Sequence, residues 1–104
     1  MSQHINFLTA DMEIRFGESV RLAGRVAHDA INAVLYFVTD DDAEVLNIDL
    51  DAYGYSTPQN HVWIKDWSEH AGVAGQLAKL DGITHKATTV VGPFDSPAHL
   101  LEIH

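Results

Sequence analysis

The chain has 104 residues, 46% of them hydrophobic and 20% charged. That is the make-up of one folded domain spanning 1–104, of a size that buries roughly two-thirds of its unfolded surface, and not of a disordered tail. The absence of cysteine excludes disulfides and thiolate metal sites, and 15 acidic against 6 basic residues, a formal net charge of −9, argue against direct binding to nucleic acid or to anionic lipid.

The N-terminus has no Lys or Arg before Arg15 and no long apolar stretch. Its pattern predicts no secretory signal, and the longest apolar run, Ala33 to Val38, is far short of a membrane span. These features point to the cytoplasm. Ile5 and Phe7, then Met12, Ile14 and Phe16, then Val20, Leu22, Gly24 and Val26 recur with the period of two that a strand requires. Between Glu18 and Leu35 a helix competes, because Val20, Ala23, Ala27, Ile31 and Val34 also fit a spacing of three to four. Strands are favoured, with His28 to Asn32 as a turn.

Ala33 to Thr39 reads as a buried strand. Asp40-Asp41-Asp42 is turn material, and from Glu44 to Leu50 the pattern alternates, with Leu46, Ile48 and Leu50 on one face and Asn47, Asp49 and Asp51 on the other. This predicts a hairpin with a wet outer face. A loop with Gly54 and Pro58 leads to a short strand, His61 to Lys65. Asp66 followed by Glu69 has the form of a capping box, and Ala71, Ala74, Leu77 and Ala78 give an apolar stripe up to Gly82, so the pattern predicts one main helix over about 66–81. Ile83 to Val91 and, after Gly92-Pro93, Leu100 to Ile103 complete the strands, the last at an edge. The expected fold class is α+β, an antiparallel sheet with that helix packed on one face.

No catalytic signature stands out. The seven histidines, at 4, 28, 61, 70, 85, 99 and 104, show no i, i+4 helical pair. His61 and His70 flank one turn and could meet, but polar surface histidines account for them as well. The triple aspartate lacks the frame of a calcium loop. Asp66, Ser68 and His70 lie two apart on the expected helix, so they cannot face one another as a triad. Gly72-Val73-Ala74-Gly75 resembles an RNA-clamping Gly-x-x-Gly loop but has no basic surround and reads as close packing. We expect no enzyme, no cofactor and no metal.

Charge is the more informative signal. From Val26 through Ile64 there is no Lys or Arg, while the same stretch holds Asp29, Asp40, Asp41, Asp42, Glu44, Asp49 and Asp51. On one strand face, Asp49 and Asp51 would stand about 6.7 Å apart, on the scale of phosphate spacing in a nucleic-acid strand. A rigid array of this kind can occupy a basic DNA- or RNA-binding groove, with long-ranged, salt-sensitive attraction. The competing account is that acidity only keeps the protein soluble. Tyr53 and Tyr55, beside the acidic hairpin, and Trp63 could anchor a partner, or Trp63 and one tyrosine could cover the far side of the sheet.

Leu46-Asn47-Ile48-Asp49-Leu50, a loop, and Lys65-Asp66-Trp67-Ser68-Glu69-His70-Ala71-Gly72 resemble a family of small proteins from phages, plasmids and integrative elements. Its members read LTVNL, then a loop, then KDYSENEG, a short helix and further strands. The resemblance covers roughly 45–104 and is strongest at Lys65, Asp66, Ser68, Glu69 and Gly72; His70-Ala71 replaces the family's Asn-Glu, and the match is poor after Gly82. It implies a setting among accessory genes of mobile elements, where small acidic cysteine-free proteins often inhibit host defence. Anti-CRISPR and anti-restriction proteins are the main classes.

The combined expectation is a non-enzymatic anti-CRISPR inhibitor that acts as a DNA mimic. It would bind a basic nucleic-acid groove of a CRISPR effector through Asp40, Asp41, Asp42, Glu44, Asp49 and Asp51, with Tyr53 and Tyr55 beside them. An immunity or antitoxin-like protein that neutralises a basic toxin is the second reading. A small metal-dependent hydrolase using His61 and His70 is the third.

Overall fold

The computed structural model describes residues 5–104. Alternation in the N-terminal half forms strands throughout: β1 (Ile5–Phe7), β2 (Met12–Phe16), β3 (Val20–Asp29), β4 (Val34–Val38) and β5 (Ala43–Val45), all antiparallel in one five-stranded sheet. β3 is its spine. The first half of β3 pairs with β2 (Gly24 opposite Met12), and the second half lies between β1 and β4 (Ala27 opposite both Phe7 and Tyr36). The β-branched and aromatic residues from Val34 to Val38 suit strand pairing better than a helix across 18–35. The β3–β4 turn is closed by Asp29, whose Oδ1 accepts the N–H groups of Ile31 (3.1 Å) and Asn32 (3.0 Å).

Four further strands make a second antiparallel sheet: β6 (Asn47–Ile48), β7 (His61–Lys65), β8 (Ile83–Val91) and β9 (Ser96–Ile103), in the order β6–β7–β9–β8. The expected edge strand at 100–103 is instead central. Gly92 (φ 76°) turns the chain straight back, β9 starts at Ser96, and Leu101 pairs with Val62 on one side and His85 on the other.

The chain changes sheets at Leu46. Val45 still pairs with Tyr36, whereas Asn47 already pairs with Ile64. The alternation from 44 to 50 is therefore not one strand face. Leu46 enters the core shared by both sheets with Phe37, Ile64 and Leu101, while Ile48 and Leu50 pack with Trp63, Val91 and Ala98 in a second cluster.

The helix is much shorter than the 66–81 expected. A 3-10 turn covers Ser68–His70, Gly72 takes a left-handed conformation (φ 84°), and α1 runs only over Val73–Leu77. The capping box does not form: Asp66 Oδ1 accepts the Gly72 N–H at 2.8 Å, and Glu69 pairs with Lys65 at 3.1 Å. Gly82, where the expected helix would end, is left-handed (φ 83°), but it leads into β8 and does not close the helix. Val73, Ala74 and Leu77 join the shared core, and Gln76 ties α1 to β2 by accepting the Arg15 N–H (2.9 Å) and donating to the Arg15 carbonyl (2.8 Å). The result is a small, mostly antiparallel β structure with one short helix.

Candidate binding surface

The acidic residues divide into two groups at opposite ends of β4. Asp40, Asp41 and Asp42 form the β4–β5 turn after Val38. Thr39 fixes that turn: its N–H donates to the Asp42 carbonyl (2.8 Å), and its hydroxyl accepts the N–H groups of Asp41 (3.3 Å) and Asp42 (3.2 Å). Asp42 Oδ1 accepts the Ala43 N–H at 2.8 Å. The carboxylates of Asp40 and Asp41 accept no hydrogen bond among the described residues and are exposed. Asp40 borders a concavity of about 570 Å³ with Asp11 and Arg25.

Asp49 and Asp51 lie at the other end, beside the β3–β4 turn, where they line a groove of about 480 Å³ with Asn32, Asn47, Ser56 and Thr57. They are not neighbours on a strand face, because β6 ends at Ile48. Asp49 Oδ1 instead accepts the Asp51 N–H at 2.8 Å, and Asp51 opens a 3-10 turn to Tyr53. The five residues of β4, about 13 Å from Val34 to Val38 at strand rise, lie between the two groups. Among the described residues no Lys or Arg forms an ion pair with any of these five aspartates or with Glu44. Glu44 faces the buried His70, whose Nε2 lies 3.3 Å from Oε2.

The two tyrosines have different environments. Tyr53 is 54% exposed, free to meet a partner. Tyr55 packs edge-on against Trp63 (centroids 5.6 Å apart) and accepts a hydrogen bond from Thr89 Oγ1 at 2.7 Å. The alternative in which Trp63 and one tyrosine cover the far side of the sheet describes Tyr55. His61 and His70 are not brought together: the His61 ring meets the Gln59 carbonyl, and the His70 ring packs beside Phe16. Glu69 is held below the usual carboxylate range by its own backbone N–H and by Lys65.

A different cluster escaped the sequence reading. His85, Thr88 and His99 converge on the second sheet, and Asp66 contacts His99. Its signal was present in the hairpin. A four-residue turn over 92–95 sets Thr88 opposite His99, a cross-strand pairing that helical spacing does not register.

No protein-family model matches the chain, and neither the curated proteins nor the solved structures offer a match. Among the described residues, no helix is long and apolar enough to cross a membrane.

Proposed function

We propose that the protein is a non-enzymatic inhibitor that docks its acidic surface on a basic, nucleic-acid-binding protein, a CRISPR effector being the first class to test. One observation carries the reading. Asp40, Asp41 and Asp51 present carboxylates without a cationic partner among the described residues, in a stretch from Val26 to Ile64 that has no Lys or Arg. Unneutralised charge on hydrogen-bonded turns is pre-ordered for a basic surface and loses little freedom on binding. The two groups sit as separate footholds at the two ends of β4. Tyr53 supplies an exposed aromatic ring after the second of them.

The test is affinity capture from a lysate containing CRISPR effectors, at low and high salt, with two charge-reversed variants. One carries Asp40→Lys and Asp41→Lys, the other Asp51→Lys. Capture of an effector that weakens with salt, blocks its DNA binding and is lost in the first variant supports inhibition by mimicry. Equal capture by wild type and both variants refutes it. Capture of a lone basic toxin points to the immunity reading.

A further inference from the structure

We propose that His85, Thr88 and His99 form a binding site for one divalent transition-metal ion, with Asp66 holding His99 in the ligating tautomer. No group of three His, Cys, Asp or Glu residues among the described residues is placed to hold a metal. The donor set here is two imidazoles and a hydroxyl. His85 Nε2, His99 Nδ1 and Thr88 Oγ1 stand at the corners of a nearly equilateral triangle, with edges of 3.1, 3.0 and 3.0 Å. An ion about 2.1 Å from each atom lies about 1.2 Å above their plane and sees the pairs at about 91–95°. Those are three adjacent positions of an octahedron, with the other positions left to water. Imidazole donors select Co²⁺, Ni²⁺, Cu²⁺ or Zn²⁺ over Mg²⁺ or Ca²⁺.

The backbone builds this triangle with a β-bulge. Thr88 is directly opposite His99, and their side chains share a face. His85 is three residues from Thr88 and would point to the opposite face of a regular strand. The register slips between His85 and Ala87, leaving Lys86 outside the ladder, so His85 pairs with Leu101 and comes round to the face of His99. Lys86 itself reaches Glu102 at 3.7 Å.

The outer contact fixes the chemistry. Asp66 Oδ2 lies 3.1 Å from His99 Nε2, so that nitrogen carries the proton and Nδ1 presents its lone pair to the triangle. A carboxylate behind a ligating histidine is the usual support of a metal imidazole. Asp66 is fixed in turn, because its Oδ1 accepts the Gly72 N–H. Without an ion, the Thr88 hydroxyl can accept from His85 Nε2 and donate to His99 Nδ1, so the three groups are held together by hydrogen bonds. An ion would replace those hydrogen bonds with one ligand bond from each group.

The test is calorimetric titration with Co²⁺ and with Zn²⁺ as chlorides, in a His4→Ala background, because His4 lies outside the described residues. One equivalent bound is expected. His85→Ala, which leaves the His99–Asp66 contact intact, weakens binding at least tenfold, and the control His61→Ala leaves it unchanged. Asp66→Asn keeps an acceptor for Gly72 but offers His99 an N–H, which moves the His99 proton to Nδ1; affinity falls by about ten- to a hundredfold, and ¹⁵N shifts of His99 report the tautomer change. Absence of stoichiometric binding, or equally tight binding by His85→Ala, overturns the site. The variants leave the acidic turn untouched, so the result does not depend on partner capture.

Discussion

Asn47 completes the backbone hydrogen bonding of β4 from the other sheet. Its Oδ1 accepts the Leu35 N–H at 2.9 Å, and its Nδ2 donates to the Ala33 carbonyl at 3.2 Å. Ala33 is left-handed (φ 55°), so the turn into β4 leaves polar groups that a strand partner cannot reach. The chain has just crossed between sheets at Leu46, and a side-chain amide replaces the missing ladder contacts.

Asn47→Ala therefore strands a part-buried N–H and should cost about 1–3 kcal/mol, the penalty for a donor left unpaired. Urea unfolding of the variant beside wild type measures it. Asn47→Asp keeps the acceptor and should lose less. Equal stability of Asn47→Ala and wild type would show that water replaces the amide at no cost.

Tyr53 and Tyr55 should separate binding from stability. Tyr55 bridges to Thr89 and packs on Trp63, so Tyr55→Ala should lose about 3 kcal/mol of folding stability. Tyr53 is exposed, and Tyr53→Ala should change stability by no more than about 0.5 kcal/mol while weakening partner capture. Thermal unfolding and capture on the same samples distinguish the two. A stable Tyr55→Ala protein would refute the division.

Period-two patterning made most strands legible, and the bounds of β7 and β8 agree with it to the residue. The helix was overextended because its apolar stripe is real but local: Val73, Ala74 and Leu77 are buried, while Gly72 in the left-handed region stops the helix from starting at Asp66. The sheet change at Leu46 was invisible, since alternation continues through it and only the pairing partner changes. That change moved Asp49 and Asp51 off the strand face assigned to them. The His85 cluster depended on a one-residue bulge, which reverses the facing of a side chain without any compositional mark.

Gly24 marks a close approach between strands. A Cβ there would overlap the Val38 carbonyl oxygen and lie 3.2 Å from the Phe37 ring. The oxygen belongs to paired backbone at the end of β4 and cannot swing aside as a side chain can. Gly24→Ala should cost about 3 kcal/mol, the upper part of the range for overpacking. Chemical denaturation measures the loss, and hydrogen exchange should show it first at the β3–β4 pairing. Gly54→Ala makes a useful contrast: nothing lies near its Cβ, and its penalty comes from the left-handed backbone alone (φ 84°).

His28 should make stability depend on pH. It is 4% exposed on β3, and its Nε2 is buried without a partner among the described residues. Burial lowers its pKa below the ordinary 6.5, partly opposed by the neighbouring Asp29 carboxylate. Above pH 6.5 both the folded and unfolded states hold the ring neutral, and the full stability is present. As the pH falls below that value, the unfolded chain takes up the proton first, so stability is lost until the depressed folded pKa is passed. The expected result is a decline in unfolding free energy from pH 7.5 to 5 that is steeper in wild type than in His28→Leu, which has no proton to bind. Urea titrations at three pH values across that window measure both slopes. Parallel curves would mean that other groups carry the pH dependence and that His28 protonates in the folded protein as readily as in the unfolded chain.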